Sequence, residues 1–236
     1  MTRQAVITGG ARPDGIGWAA ALALADAGYE VVVTGVSDQE VSGAASHAGI
    51  SAKVLDVRND GAVKAFFSEF DRIDALVNCA GAADPSSEFT PEGFARILDI
   101  NLTGTQRCCL AARDLLAEAK GAIVNVGSLY STFGSAGTPA YSASKGGIVQ
   151  LTKSLAVAWA PDIRVNALAP GWIQTGMAKP VFENKQWADM LLTRLPMKRF
   201  GEPGDLADPI LFLCSNAARY VNGVLLTVDG GYSCSG

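Results

Sequence analysis

The stretch that most restricts the fold lies near the N-terminus. Ala5-Val6-Ile7-Thr8 is followed by Gly9, then by Gly15-Ile16-Gly17, then by Trp18-Ala19-Ala20-Ala21-Leu22-Ala23-Leu24-Ala25. The first run is short and apolar, as a buried strand is; the last is an Ala/Leu helix, with Gly28 placed to cap its end. A strand that enters a helix through a glycine-rich turn must be followed by a crossover to a parallel neighbour. The same rhythm continues along the chain. Further strands are expected within Tyr29–Thr34, at Ala52–Leu55, Asp74–Val77, Ala122–Val126 and Ile163–Leu168, and finally at Val224–Val228. Ser37-Asp38-Gln39-Glu40 is a capping-box sequence that starts a helix. Thr90 as N-cap and Pro91 at the first helical position start a long helix, with Phe94, Ile97, Leu98 and Leu102 at helical spacing. Another helix carries Tyr141 and Lys145 to about Trp159, and a last one spans Gly204–Cys214. Alternation throughout predicts an α/β fold of the doubly wound type. It has a parallel sheet of about seven strands with helices on both faces, as one domain over residues 1–236. Only residues 176–199 break the rhythm; bulky Phe182, Trp187, Met190 and Leu191 between Pro180 and Pro196 suit a lid over a substrate.

Tyr141 and Lys145 are four residues apart, so a helix brings phenol and ammonium to one face. A phenol ionises near pKa ~10, and a fixed cation beside it lowers that value toward the range useful for proton transfer. Ser128 follows the buried-type run Ala122–Gly127, at the carboxyl end of a strand, where open α/β sheets place their chemistry. Asn101 lies between them and the N-terminal unit, in Leu98-Asp99-Ile100-Asn101.

Charge and composition exclude several classes. The net charge is -4 with no basic stripe, so nucleic acid is not an expected partner. No apolar run approaches the roughly 18 residues of a membrane span, and the N-terminus goes straight into a strand, so no signal peptide is expected. Five cysteines without a Cys-x-x-Cys pair suggest a reducing cytoplasm, with Cys108 and Cys109 as packing residues. The single histidine, His47, falls in the polar segment 42–47 and reads as a surface helix position. That leaves no metal site built on histidines, and no Gly-x-Ser-x-Gly elbow accompanies it.

Taken together, the glycine-rich turn, Asp56-Val57, Asn78-Cys79-Ala80-Gly81, Asn101, Ser128, Tyr141, Lys145 and Pro170-Gly171 resemble the short-chain dehydrogenase/reductase family in its single-domain, Rossmann-type form. The resemblance covers nearly the whole chain. It implies an oxidoreductase that moves a hydride between NAD or NADP and a secondary alcohol or ketone. Tyr141 would carry the proton and Ser128 would hold the substrate oxygen. Lys145 would lower the Tyr141 pKa and bind ribose, and Asn101 would position a water. Thr8, Gly9, Arg12, Gly15, Ile16 and Gly17 would surround the diphosphate, and Asp56 and Val57 the adenine. Asn78, Ala80 and Gly81 would approach the ribose, and Pro170, Gly171, Ile173 and Thr175 would cover the nicotinamide. Leu129, Tyr130, Phe133, Trp172, Met177 and Trp187 are the expected substrate contacts. The family usually has a second Asn where Cys79 stands. Five residues, Gly10 to Asp14, separate Thr8-Gly9 from Gly15-Ile16-Gly17, two more than usual. The cofactor choice leans to NAD. Neither the Asp usual in NAD enzymes at Gly35 nor a basic or small polar residue at Val36 is present, and Asp38 would repel a 2′-phosphate, although Arg12 could reach one. Similar proteins are oligomers, and the helix Gly146–Trp159 is apolar nearly all round, so a homotetramer is expected. The alternatives are a 3-oxoacyl-thioester reductase acting on an acyl carrier protein, a non-catalytic dinucleotide sensor and an enoyl reductase. The short Tyr-x3-Lys spacing argues against the last.

Overall fold

The computed structural model describes residues 2–235. Seven strands, β1 (Arg3–Thr8), β2 (Tyr29–Gly35), β3 (Ile50–Val54), β4 (Ala75–Asn78), β5 (Ala122–Val126), β6 (Arg164–Pro170) and β7 (Leu225–Val228), form one sheet. All neighbours are parallel, in the order β3-β2-β1-β4-β5-β6-β7. The α-helices are α1 (Ile16–Asp26), α2 (Asp38–Ser42), α3 (Asp60–Phe67), α4 (Pro91–Leu98), α5 (Gly104–Ala119), α6 (Pro139–Trp159), α7 (Lys179–Glu183), α8 (Lys185–Arg194) and α9 (Gly204–Cys214). Among the described residues, no helix is long and apolar enough to cross a membrane.

The central strands are buried on both faces, which is why they read as continuous apolar runs. Alternate residues feed two cores. Ile7, Val31 and Val33 meet Leu24 of α1 and Ile210 of α9 on one side; Val6, Leu76 and Ile123 meet Phe67 of α3 and Cys108 and Leu116 of α5 on the other. The order reverses at β1, which lies between β2 and β4. The turns after β1 and β4 therefore diverge and open a crevice at the carboxyl edge of the sheet.

Two elements differ from expectation. The long helix from Pro91 is interrupted: α4 ends at Leu98, a π turn spans Asp99–Thr103, and α5 follows. His47 is not helical. The helix begun by Ser37 stops at Ser42, and His47 lies in the loop before β3 with Nδ1 2.7 Å from the Ala48 carbonyl. The segment is too short of apolar residues to hold a longer amphipathic helix.

Candidate active site

At the crevice, α1 starts without a side-chain cap, and the N–H groups of Ile16, Gly17 and Trp18 have no protein acceptor among the described residues. A helix start of this kind is a ready anion site. The glycines beside it bring backbone to backbone. Gly9 has φ +67, and a Cβ there would lie 2.6 Å from Ala80 Cα; one on Gly17 would lie 2.7 Å from Gly10 Cα. Thr8 ties the two turns together, its hydroxyl accepting from Ala80 N at 3.3 Å. A Cβ on Gly81 would lie 3.4 Å from Asn101 Oδ1 and 3.6 Å from Lys145 Nζ, so this backbone borders both groups.

The side chains expected to handle the proton converge there. Tyr141 and Lys145 lie on the first turns of α6, with Nζ 5.6 Å from the Tyr141 ring centre. Ser128 follows β5 by two residues and caps a short 3-10 turn, Leu129–Ser131. Ser131 Oγ accepts from Ser128 N at 3.1 Å and donates to the Lys145 carbonyl at 2.8 Å, locking Ser128 to α6. Asn101 lies in the π turn and is fully buried. Its amide donates to the Ala82 carbonyl (2.9 Å) and Ser144 Oγ (3.0 Å), and its Oδ1 accepts from Ala82 N (2.8 Å). Ser144 in turn donates to the Tyr141 carbonyl. Glu88, also buried, caps α6 by accepting from Tyr141 N at 2.8 Å. Below the site Asn78 donates to Asn125 Oδ1, and Asn125 to Thr152 Oγ1, so polar groups within the sheet are satisfied by one another.

Burial governs the charges. Lys145 is pulled down to about 8 by desolvation, and Nζ donates to the Val126 carbonyl at 2.7 Å. Tyr141 is raised above its ordinary value, first by burial, with the Ser128 hydroxyl opposing and Tyr130 and Glu88 adding to the rise. The expected depression of Tyr141 by Lys145 is thus not what this structure displays; burial of the phenol dominates. The Cys79 thiol is pushed up to about 12 by burial and stays protonated, in keeping with a packing role.

Other expected residues are dispersed. Asp56, after β3, pairs with Arg58 at 2.6 Å, which lowers its pKa, and Val57 is buried beside it. Arg12 pairs with Asp14 at 3.4 Å, and a side chain at Gly176 would collide with its Nη2, so the enlarged turn reaches the segment after β6. At Gly35, a Cβ would fall 2.8 Å from Glu40 Cβ, and Glu40 Oε2 accepts from Val36 N at 2.9 Å. In that segment after β6, Gly171 donates to Val228 O, Ile173 is buried and bridges Gly201, and Thr175 precedes a 3-10 turn. Leu129, Tyr130, Phe133 and Trp172 line a cavity of about 260 Å³ together with Gly134, Arg194 and Tyr232. Met177 and Trp187 are exposed and are not among its lining residues.

Glu40, Glu88, Ser131, Ser144 and Arg194 were not singled out from sequence. Ser128-x-x-Ser131 has the spacing of a turn cap, and Ser144 adjoins Lys145, which are usable signals. Glu88 and Arg194 carry none.

Comparison with known proteins gives a family profile described as enoyl-(acyl carrier protein) reductase, matching residues 9–233. The chain is 38% identical to a cis-4-hydroxycyclohexanecarboxylate dehydrogenase of Sinomonas cyclohexanicum, over 98% of this chain and 96% of that one. It is 34% identical to a 3-oxoacyl-(acyl-carrier-protein) reductase of Chlamydia muridarum, over 98% and 97%. A gluconate 5-dehydrogenase from Burkholderia cenocepacia J2315, solved in complex with NADP and tartrate, superposes with a TM-score of 0.91. It is 30% identical, with 99% of this chain and 96% of that one covered.

Proposed function

The chain belongs to the short-chain dehydrogenase/reductase family, and from that premise we propose how its site works and what it selects. It is an NAD(P)-dependent oxidoreductase acting on a CH–OH group, interconverting a secondary alcohol and a ketone. A bound dinucleotide supplies the hydride donor or acceptor. Gly15, Ile16 and Gly17 would hold its diphosphate on the open amides of α1, with Thr8, Gly9 and Arg12 around the turn. Asp56 and Val57 would face the adenine. Asn78, Ala80, Gly81 and Lys145 would face the inner ribose, and Pro170, Gly171, Ile173 and Thr175 the nicotinamide end.

Tyr141 is the proton carrier. Its raised pKa keeps the phenol protonated at neutral pH, loaded to protonate the oxygen of a ketone. In the oxidative direction the same group must first lose its proton, so that direction gains with rising pH. Ser128, held by Ser131, donates to the substrate oxygen and fixes it at Tyr141. Asn101 Oδ1 keeps one lone pair free of Ala82 and faces the open space at Gly81 with Lys145 Nζ, which suits a water that passes protons to the lysine. The observation that carries this reading is the bracing of these four residues in two pairs, Ser128 to Lys145 through Ser131 and Asn101 to Tyr141 through Ser144. A sensor has no use for such a set. The short Tyr141–Lys145 spacing and Ser128 favour a C–O centre over the enoyl reduction named by the family profile.

We further propose a single domain, a lid over residues 176–199, a reducing cytoplasm consistent with five free cysteines, and a homotetramer. A small polyol, sugar or hydroxy acid fits a cavity of about 260 Å³ better than a carrier-bound acyl chain does. NAD is the proposed cofactor. The Glu40 carboxylate stands at the Val36 amide beside side-chain-free Gly35, where it would accept from ribose hydroxyls and repel a 2′-phosphate. Arg12 faces Gly176 instead. Binding titrations followed by cofactor fluorescence test this. NADH should bind at least tenfold tighter than NADPH, and Glu40→Ala should narrow the gap. A tenfold preference of the wild type for NADPH would reverse the choice. Dinucleotide binding without turnover on any secondary alcohol or ketone would favour the sensor.

A further inference from the structure

The cavity that follows Ser128 has one charged residue in its wall, Arg194, at the last position of α8. Six of the chain's ten other arginines are in ion pairs: Arg12 with Asp14, Arg58 with Asp56, Arg72 with Asp74, Arg96 with Asp84, Arg107 with Asp99, Arg199 with Asp205. Among the described residues the Arg194 side chain has neither an ion pair nor a hydrogen bond. Its guanidinium lies 4.6 Å over the face of Tyr232, and its carbonyl is held by Ser235 Oγ at 2.9 Å.

Tyr232 begins a row of rings packed edge to face. Tyr232 meets Trp172 at 6.2 Å, Trp172 meets Tyr130 at 6.3 Å, and Tyr130 meets Tyr141 at 6.3 Å. The row fixes the cation at one end relative to the proton carrier at the other. Trp172, in the middle, carries the one buried side-chain nitrogen without an acceptor among the described residues, its indole Nε1. The wall therefore offers a guanidinium with five N–H groups, two tyrosine hydroxyls that donate or accept, and no carboxylate.

We propose that Arg194 anchors a carboxylate and that the preferred substrates are small hydroxy or oxo acids whose carboxylate lies several bonds from the reacting carbon. The inference rests on the dehydrogenase reading above and deepens it. A guanidinium matches a carboxylate through two parallel hydrogen bonds, and one cation balances one negative charge, whereas a phosphate would call for more. Stacking on Tyr232 holds the fork in orientation before the substrate arrives. Anchoring the far end of the substrate presents the carbinol carbon to Ser128 and Tyr141, so remote binding is used for orientation.

The test has a binding arm and a turnover arm, both with saturating NADH or NADPH, or their oxidised forms. The binding arm uses cyclohexanecarboxylate and cyclohexanecarboxamide, which share a ring and have no hydroxyl to oxidise. Wild type should bind the acid at least tenfold tighter than the amide. Arg194→Met should bring the ratio to within about threefold of unity, and Arg194→Lys should keep part of the preference. Because each ratio is taken within one variant, a loss of folded protein cancels. Equal or undetectable binding of both probes to wild type overturns the proposal. So does a preference that survives in Arg194→Met, which would leave Arg194 as a clamp on Tyr232. The turnover arm compares kcat/KM for 4-hydroxycyclohexanecarboxylate and its carboxamide. The acid should be favoured through KM in wild type and lose that advantage in Arg194→Met. An acid preference in binding with no turnover of either alcohol would sink the dehydrogenase reading while sustaining the anion anchor. Turnover with no acid preference would do the reverse.

Discussion

Lys145 is 5% exposed, and the cost of burying its ammonium shows in a pKa lowered from 10.5 to about 8. The shift corresponds to about 3 kcal/mol of lost stability at neutral pH, at 1.36 kcal/mol per unit, offset in part by the bond to Val126. The penalty is complete below about pH 8, where both folded and unfolded chains carry the charge, and fades as pH rises from there toward 10.5. Lys145→Met should therefore abolish turnover and yet raise Tm at pH 7, with the advantage shrinking by pH 10; a lowered Tm at pH 7 would show that the lysine is not a strained, functional burial. Tyr141 and Lys145 were legible as a pair because four-residue spacing sets their geometry on a helix, and Ser128 because it follows a strand, whereas Asn101 was named only through the family resemblance. Their supports were not. Glu88 reaches Tyr141 across 53 residues and Glu40 fills a void left by Gly35, and such placements are settled by tertiary packing alone. Burial likewise reversed the expected sign of the Tyr141 shift, since desolvating the phenolate, with Tyr130 and Glu88 beside it, outweighs a cation four residues away.

Strands and helices were legible to within a few residues because buried parallel strands are continuous apolar runs and Ser37 and Thr90 cap their helices, although the capping box at Ser37 is only half formed, Glu40 accepting from Val36 N instead. The π turn at Asp99–Thr103 was not, because one extra residue in a helix leaves the apolar spacing nearly unchanged. It matters, since it carries Asn101 to Ala82 and Ser144. Helix α6 places Ile148, Thr152 and Ala156 in the protein interior and leaves Val157 83% exposed, while Leu110 on α5 is 52% exposed. Val149, Leu151, Leu155 and Trp159 are half-buried. A helix with apolar residues left over after covering a sheet calls for a further partner. Light scattering at micromolar concentration should give a tetramer that Leu110→Glu with Val157→Glu dissociates; a monomeric wild type would refute it.

At the scale of the molecule, alternation of strand and helix predicts a parallel sheet, and the sheet is parallel throughout. The strand order is not written in any local pattern. The strands wind out from β1 in both directions, which puts the glycine-rich turn and Gly81 on either side of one crevice. The crevice receives Tyr141 from α6, Ser128 from the turn after β5 and Asn101 from the π turn, so a single phenol stands where cofactor, substrate and proton path would meet. The decisive measurement is the turnover of Tyr141→Phe on the best secondary alcohol or ketone, beside its affinity for the dinucleotide. The account predicts a loss of kcat of ~10²–10⁴-fold with the dinucleotide Kd changed by less than about threefold. A variant that keeps more than about a tenth of the wild-type kcat would contradict it.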